Sequence, residues 1–265
     1  MNRKKVIIIL FIIAIIIASG AFVLLSTENN SLKNISFIYN ENQYIATFEG
    51  EAVTTSFLLV DSNSEFKNSN ESSEGICLLA SDDVEFTMDS YTVDTLEKAS
   101  IFSPYEIYKI TISFKPEIKI DKRVNFSRLR IGEKMFDIGS LVIEKIVEQN
   151  YPDIGFGTSP FSENHDWFTL DVKNRENSVV IVKEVIYYIG NQKINGITSE
   201  MTIDGGQEGD ASFRTNFPNN TYAIRPIIVY EYEGEQFSDI AVVATEYVTT
   251  LSKKEILDYV KANGK

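Results

Sequence analysis

His165 and Trp167 stand two positions apart in "SENHDW", residues 162–167, and each is the sole residue of its type in a chain of 265. With one histidine and one cysteine, Cys77, a Ser-His-Asp relay could be built only around His165, and a Cys-His pair only from Cys77 with His165. The sequence holds no G-x-S-x-G, no H-E-x-x-H, no paired C-x-x-C and no phosphate-cradling glycine loop. Hydrolase, zinc and nucleotide-binding classes thus lack their usual signatures. Carboxylates alone can hydrolyse glycosides, and Asp82–Asp83, Glu163 with Asp166, and Glu231 with Glu233 are the neighbouring acids. Such pairs are expected on any acidic surface. No catalytic residue and no cofactor are assigned, and the chain is expected not to be an enzyme. His165 is expected to be an exposed residue at the end of a linker, and Trp167 to cover a domain boundary by packing on "IGFG", residues 154–157.

Binding chemistry is more legible than catalysis. The formal charge is −13, and an acidic body repels phosphate backbones, so nucleic acid is not an expected partner. Against that background residues 115–134, "KPEIKIDKRVNFSRLRIGEK", hold seven basic and three acidic residues. Lys119, Lys122, Arg123, Arg128 and Arg130 form a candidate strip for anionic wall polymers or lipid head groups. The alternating Arg128-Leu-Arg130-Ile pattern is equally that of a solvated strand face. "DGGQEGD" brings Asp204, Glu208 and Asp210 into one turn, a weak candidate for calcium, because the spacing departs from the EF-hand loop. The expected metal content is none. A lone cysteine forms no internal disulfide, and Cys77 reads as a buried structural thiol.

These residues need elements to hold them. "NRKK" precedes a run from Val6 to Leu25 without a charge, long enough at about 1.5 Å per residue to cross a bilayer core of about 30 Å. Positive charge ahead of the run puts the amino terminus in the cytoplasm and the remainder outside it. The rival reading is a cleaved signal peptide, whose apolar region is shorter. The expectation is a single-pass cell-membrane protein: a basic end at 1–5, a signal-anchor helix at 6–25 and a spacer at 26–34.

Beyond the spacer, apolar and polar residues alternate in short segments such as "QYIATFE", "IYKITISF" and "WFTLDVK", the period of half-buried strands. The fold class expected is all-β: two antiparallel β-sandwich domains, 35–149 and 167–251, joined by a linker at 150–166 that gathers Pro152, Gly155, Gly157 and Pro160. "LVIEKIVEQ", 141–149, reads as a final strand or a short helix. "DGGQEGD" and "EGEQ" read as hairpin connections, and the Ser/Asn/Glu-rich segment 61–75 as a surface loop. Ser252 and Glu255 make a capping box for a C-terminal helix at 252–264.

Residues 170–194, "LDVKNRENSVVIVKEVIYYIGNQKI", carry a likeness. Val172, Asn174 and the run from Val179 to Ile189 match the order in which a strand ending in Val-x-Asn turns into a long hydrophobic strand and a hairpin. This resembles the immunoglobulin-like sandwich modules of bacterial envelope proteins. The resemblance implies a binding or spacer module that engages a protein or cell-wall polymer, and it brings no catalytic residue. The alternative expectation is a carbohydrate-active enzyme or accessory subunit using a carboxylate pair.

Overall fold

The computed structural model describes residues 16–17, 19, 32, 35–39, 41–62, 76–80, 85–98, 104–118, 122–160, 167–214, 222–242, 245–247 and 251–263. The expected anchor segment 6–25 lies outside these apart from Ile16, Ile17 and Ser19. Among the described residues no helix is long and apolar enough to cross a membrane. They form many strands, mostly in antiparallel pairs, and one short C-terminal helix.

The first half is built from β1 (Ser36–Ile38), β2 (Glu41–Thr47), β3 (Val53–Asp61), β4 (Ile76–Ala80), β5 (Glu85–Thr87), β6 (Ser90–Glu97), β7 (Glu106–Phe114), β8 (Arg123–Ile131) and β9 (Lys134–Lys145). The second half adds β10 (Ile154–Pro160), β11 (Trp167–Asn174), β12 (Val180–Ile189), β13 (Gln192–Asn195), β14 (Met201–Ile203), β15 (Glu208–Arg214), β16 (Tyr222–Arg225), β17 (Ile227–Tyr232), β18 (Glu235–Ile240) and β19 (Thr245–Tyr247). Helix α1 spans Lys253–Asn263.

The two halves are not separate sandwiches. A seven-stranded sheet runs β19-β16-β2-β9-β8-β4-β5, so second-half strands close a first-half sheet. Within it β2 lies parallel to both β9 and β16, where purely antiparallel sheets were expected. Burial explains the parallel core, since parallel strands occur where both faces are covered. Ile45, Leu141 and Ile143 enter the core shared with the sheet β1-β3-β7-β6, beside Phe57 and Ile110. Tyr44, Ala46 and Val142, on the opposite face, join the core of the second half with Val185 and Ile227. The segment 141–149, ambiguous in sequence, continues β9 as strand through Lys145.

The expected linker is also corrected. Residues 154–160 form β10, paired with β11 from Ile154↔Asn174 to Pro160↔Phe168. Alternating glycines hid the period: Gly155 and Gly157 take the outward positions of a strand whose Ile154 and Phe156 are buried. The second half is a two-sheet sandwich, β10-β11-β15 facing β13-β12-β17-β18. Its core is Phe156, Phe168, Leu170, Val172 and Phe213 against Val182, Val185, Tyr187, Ile228 and Tyr230.

The glycine-bearing breaks divide. "EGEQ" is a hairpin turn between β17 and β18, with Glu233 at φ 51° and Gly234 at 83°, as two-residue hairpins require. "DGGQ" is not one: β14 pairs with β12 while β15 pairs with β11, so this connection carries the chain from one sheet to the other. Helix α1 opens on the expected capping box, Ser252 N–H donating to Glu255 Oε2 at 2.7 Å and Glu255 N–H to Ser252 Oγ at 3.3 Å. Ile256, Leu257 and Val260 pack on Leu58, Val60 and Ile107, and Tyr259 stacks on Phe37 at 4.7 Å. The end of the chain thus returns to its first strand.

Candidate functional site

Asn174 ends β11 and is buried. Its Nδ2 donates to the carbonyls of Ser178 (2.9 Å), Ile203 (3.2 Å) and Asp204 (3.1 Å), and its Oδ1 accepts from Glu176 N–H at 3.1 Å. One amide therefore joins the 174–178 turn to the sheet-switching turn. Carbonyl oxygens of both turns and of the end of β14 are satisfied there.

That arrangement also decides the fate of the acidic turn. Glu208 is paired with Lys173 at 2.9 Å, Asp210 lies opposite Asp171 in the strand register, and the Asp204 carbonyl is taken by Asn174. Among the described residues no three His, Cys, Asp or Glu side chains gather as a metal cage, so Asp204, Glu208 and Asp210 are not brought together as ligands.

The basic strip is divided. Lys119 lies outside the described residues; Lys122, just before β8, is exposed, as is Arg123 at its start, while Arg128 and Arg130 farther along β8 are half-buried. Arg123 is occupied by the second half: its guanidinium sits 3.7 Å above the centre of the Tyr188 ring. Tyr188 in turn meets Tyr44, whose hydroxyl donates to Glu144 Oε2 at 2.8 Å. Burial first, and then the Glu144 carboxylate, hold the Tyr44 hydroxyl well above its ordinary pKa, with Arg123 opposing them. Arg128 and Arg130 lie opposite Asp137 and Met135 of β9. The strip thus combines one interface contact with two arginines on an outward sheet face.

Arg225 makes the second contact between the halves. Its Nε donates to Ala241 O at 2.7 Å, Nη2 to Val242 O at 3.2 Å, and Nη1 to Glu51 Oε1 at 2.7 Å. The other oxygen of Glu51 accepts from Thr47 Oγ1 and Phe48 N–H. Beside this clamp lies a cleft of about 420 Å³ that includes Lys109, Thr111, Ser56 and Val242. Sequence reasoning passed over Arg225, because an arginine before a proline carries no motif.

Trp167 faces outward while Phe168, Leu170 and Val172 are buried, as the alternation predicts. It does not pack on "IGFG". The register sets Ile154–Gly157 opposite Asp171–Asn174, the far end of β11, and pairs Trp167 with Arg214. There it helps line a trough of about 460 Å³ between β15 and the segment 195–201. Gly196 closes that side tightly, since a Cβ there would stand 2.6 Å from the Phe213 ring. His165 lies outside the described residues.

Of the neighbouring acids, Glu231 and Glu233 alone fall among the described residues, and each has its own partner. Asp82–Asp83 and Glu163 with Asp166 lie outside the described residues, Glu231 pairs with Lys183 at 3.3 Å, and Glu233 accepts from Ser178 Oγ at 2.8 Å. The register instead sets Asp61 opposite Glu106, both buried, with the Tyr108 hydroxyl donating to Glu106. Neither carboxylate lines the clefts at Arg225, Trp167 or Tyr188.

No family model matches the chain. No curated protein matches it. Among solved structures, a crystal structure of DIP-gamma IG1+IG2 aligns over 78% of this chain and 93% of its own at 12% identity, with a TM-score of 0.20. At that score the likeness carries no argument.

Proposed function

We propose that this chain is a non-enzymatic, membrane-anchored protein whose β body stands outside the cytoplasm and binds or spaces a protein or cell-envelope partner. The observation that carries the reading is the interlock of the two halves. Strand β16 is inserted beside β2, Arg225 grips Glu51, and Arg123 caps Tyr188. Two units joined by a flexible linker would reorient freely, whereas units sharing a sheet hold a fixed span. A fixed span suits a spacer.

The uncharged run 6–25 supports the anchor, and the Asn174-organised turn at the end of β11 supports an immunoglobulin-like reading of the second sandwich. Arg128 and Arg130 are the proposed contacts to anionic envelope material. The test is co-sedimentation of the 265-residue chain, in neutral detergent, with a purified anionic wall polymer at several salt concentrations. Binding that weakens with salt, and weakens further in the double variant Arg128→Glu/Arg130→Glu, supports the reading. Absence of binding, or binding indifferent to both salt and the substitutions, removes the strip from the proposal.

A further inference from the structure

The sheet β10-β11-β15 ends on β15. We propose that β15 pairs antiparallel with β15 of a second copy of this chain, centred on Ala211, so that two three-stranded sheets join into one of six.

The strand, Glu208-Gly-Asp-Ala-Ser-Phe-Arg214, carries an acid and a base at equal distances on either side of Ala211. Centred on Ala211, antiparallel pairing sets Glu208 against Arg214 of the second copy and Asp210 against Ser212, each twice by symmetry. Those four side chains are exposed and alternate along one face, while Phe213 points into the core. Opposite charges directly across antiparallel strands attract, and like charges repel. Ala211, at the two-fold axis, is small enough to meet its own copy.

The other terminal strands lack this complementarity. Charge on β6 is Asp94 and Glu97, on β18 Glu235 and Asp239, on β13 Lys193 alone, and β10 carries none. An acidic edge meeting its own copy is repelled, one of the ways native sheets keep their edges apart. Among the described terminal strands β15 alone carries both signs, with Glu208 and Arg214 equidistant from Ala211. Glu208 already touches Lys173 of the neighbouring strand. A second cation from the partner copy would complete a network, and networks outperform isolated exposed pairs.

The pairing stands apart from the anchoring reading, and its test separates the two. Sedimentation velocity of the 265-residue chain in neutral detergent would compare wild type, Glu208→Arg, Arg214→Glu and the double exchange. Wild type is expected to dimerise, each single reversal to weaken the dimer by roughly tenfold or more, and the double exchange to return it to within about threefold of wild type. A wild type monomeric at every concentration overturns the proposal. So does a dimer that both reversals leave unchanged, since association through the apolar run or another face would behave that way. Mild oxidation of Ala211→Cys supplies a second reading that does not depend on charge: a disulfide-linked dimer is expected for it and not for Thr169→Cys on the adjacent strand. Equal cross-linking of both, or none at Ala211→Cys, counts against the register.

Discussion

Arg225 and Glu51 lie 174 residues apart in the chain, and their Nη1 and Oε1 atoms are 2.7 Å apart. The pair fastens the turn between β2 and β3 to the end of β16. Because Arg225 is buried and also serves two carbonyls, it works as a three-acceptor clamp. A surface ion pair would contribute far less.

Replacing Arg225 by alanine is therefore expected to cost on the order of 3 kcal/mol, in the range for breaking a buried pair and orphaning its acceptors. Lysine is expected to restore little, because one ammonium cannot reproduce the planar fork. Urea melts followed by circular dichroism measure both. A loss below about 1 kcal/mol for alanine would reduce the clamp to a surface contact.

Asn174 offers a sharper contrast between substitutions. Alanine there abandons four hydrogen bonds, an expected loss of about 2–3 kcal/mol. Aspartate is expected to be worse, since it sets a carboxylate against the carbonyls of Ser178, Ile203 and Asp204 and donates to none of them. Thermal denaturation of the two variants at neutral pH ranks them. If aspartate equals or exceeds alanine in stability, the donor role assigned to Nδ2 is wrong.

Two adjacent glycines should behave differently. A Cβ on Gly205 would stand 2.2 Å from the Asn177 carbonyl oxygen, whereas Gly206, at φ 70°, has open space around it. Gly205→Ala is expected to cost more than 2 kcal/mol through the backbone collision, and Gly206→Ala about 1 kcal/mol through left-handed strain. Denaturant midpoints of the pair check the order.

Trp167→Ala is expected to cost less than about 1 kcal/mol, because the ring lines an open trough and seals no boundary between halves. Circular dichroism melts test this directly, and fluorescence of wild type serves as the companion probe, with an emission maximum expected toward the solvent-exposed range. A cost of several kcal/mol would restore the sequence-based expectation of a buried interdomain role.

Asp239 gives a pH dependence. Burial raises its pKa above the ordinary 3.8, against the Ile240 N–H bond and Arg225, which lower it. A carboxyl raised in the folded state favours folding below its unfolded pKa, and that contribution is lost as pH rises through the folded value. Asp239→Asn, which keeps an acceptor for Ile240 N–H, should thus be more stable than wild type at pH 7, with the difference shrinking below pH 4. Paired thermal melts across pH 3–7 check the sign. A constant difference over that range would mean that titration of Asp239 is not its source.

The strand class was readable because alternation is a local property. Phe168, Leu170 and Val172 announce one buried face, and the pairing registers honour it. The capping box of α1 was likewise local, two side chains three residues apart. Asn174 could be singled out as a turn residue from its place before "RENS", although its three carbonyl partners belong to segments up to 30 residues away. Strand β10 escaped notice because its outward positions are glycines, which give alternation nothing to register.

By itself the sequence determined an all-β body, a C-terminal helix, an uncharged run of bilayer length and the presence of one histidine and one cysteine, since each depends on residue type or short spacing. Tertiary structure alone decided that the halves share a sheet. Tyr44 and Ile45 are adjacent in the chain and equally buried, yet they enter different cores. A strand covered on both faces reads as a plain apolar run, so periodicity cannot tell which neighbour covers which face. The same holds for Arg225 and for the charge order of β15: one acquires its meaning from an acid 174 residues away, the other from lying at the end of a sheet. Long-range pairing is set by how the sheets stack, and no local pattern in the chain encodes it.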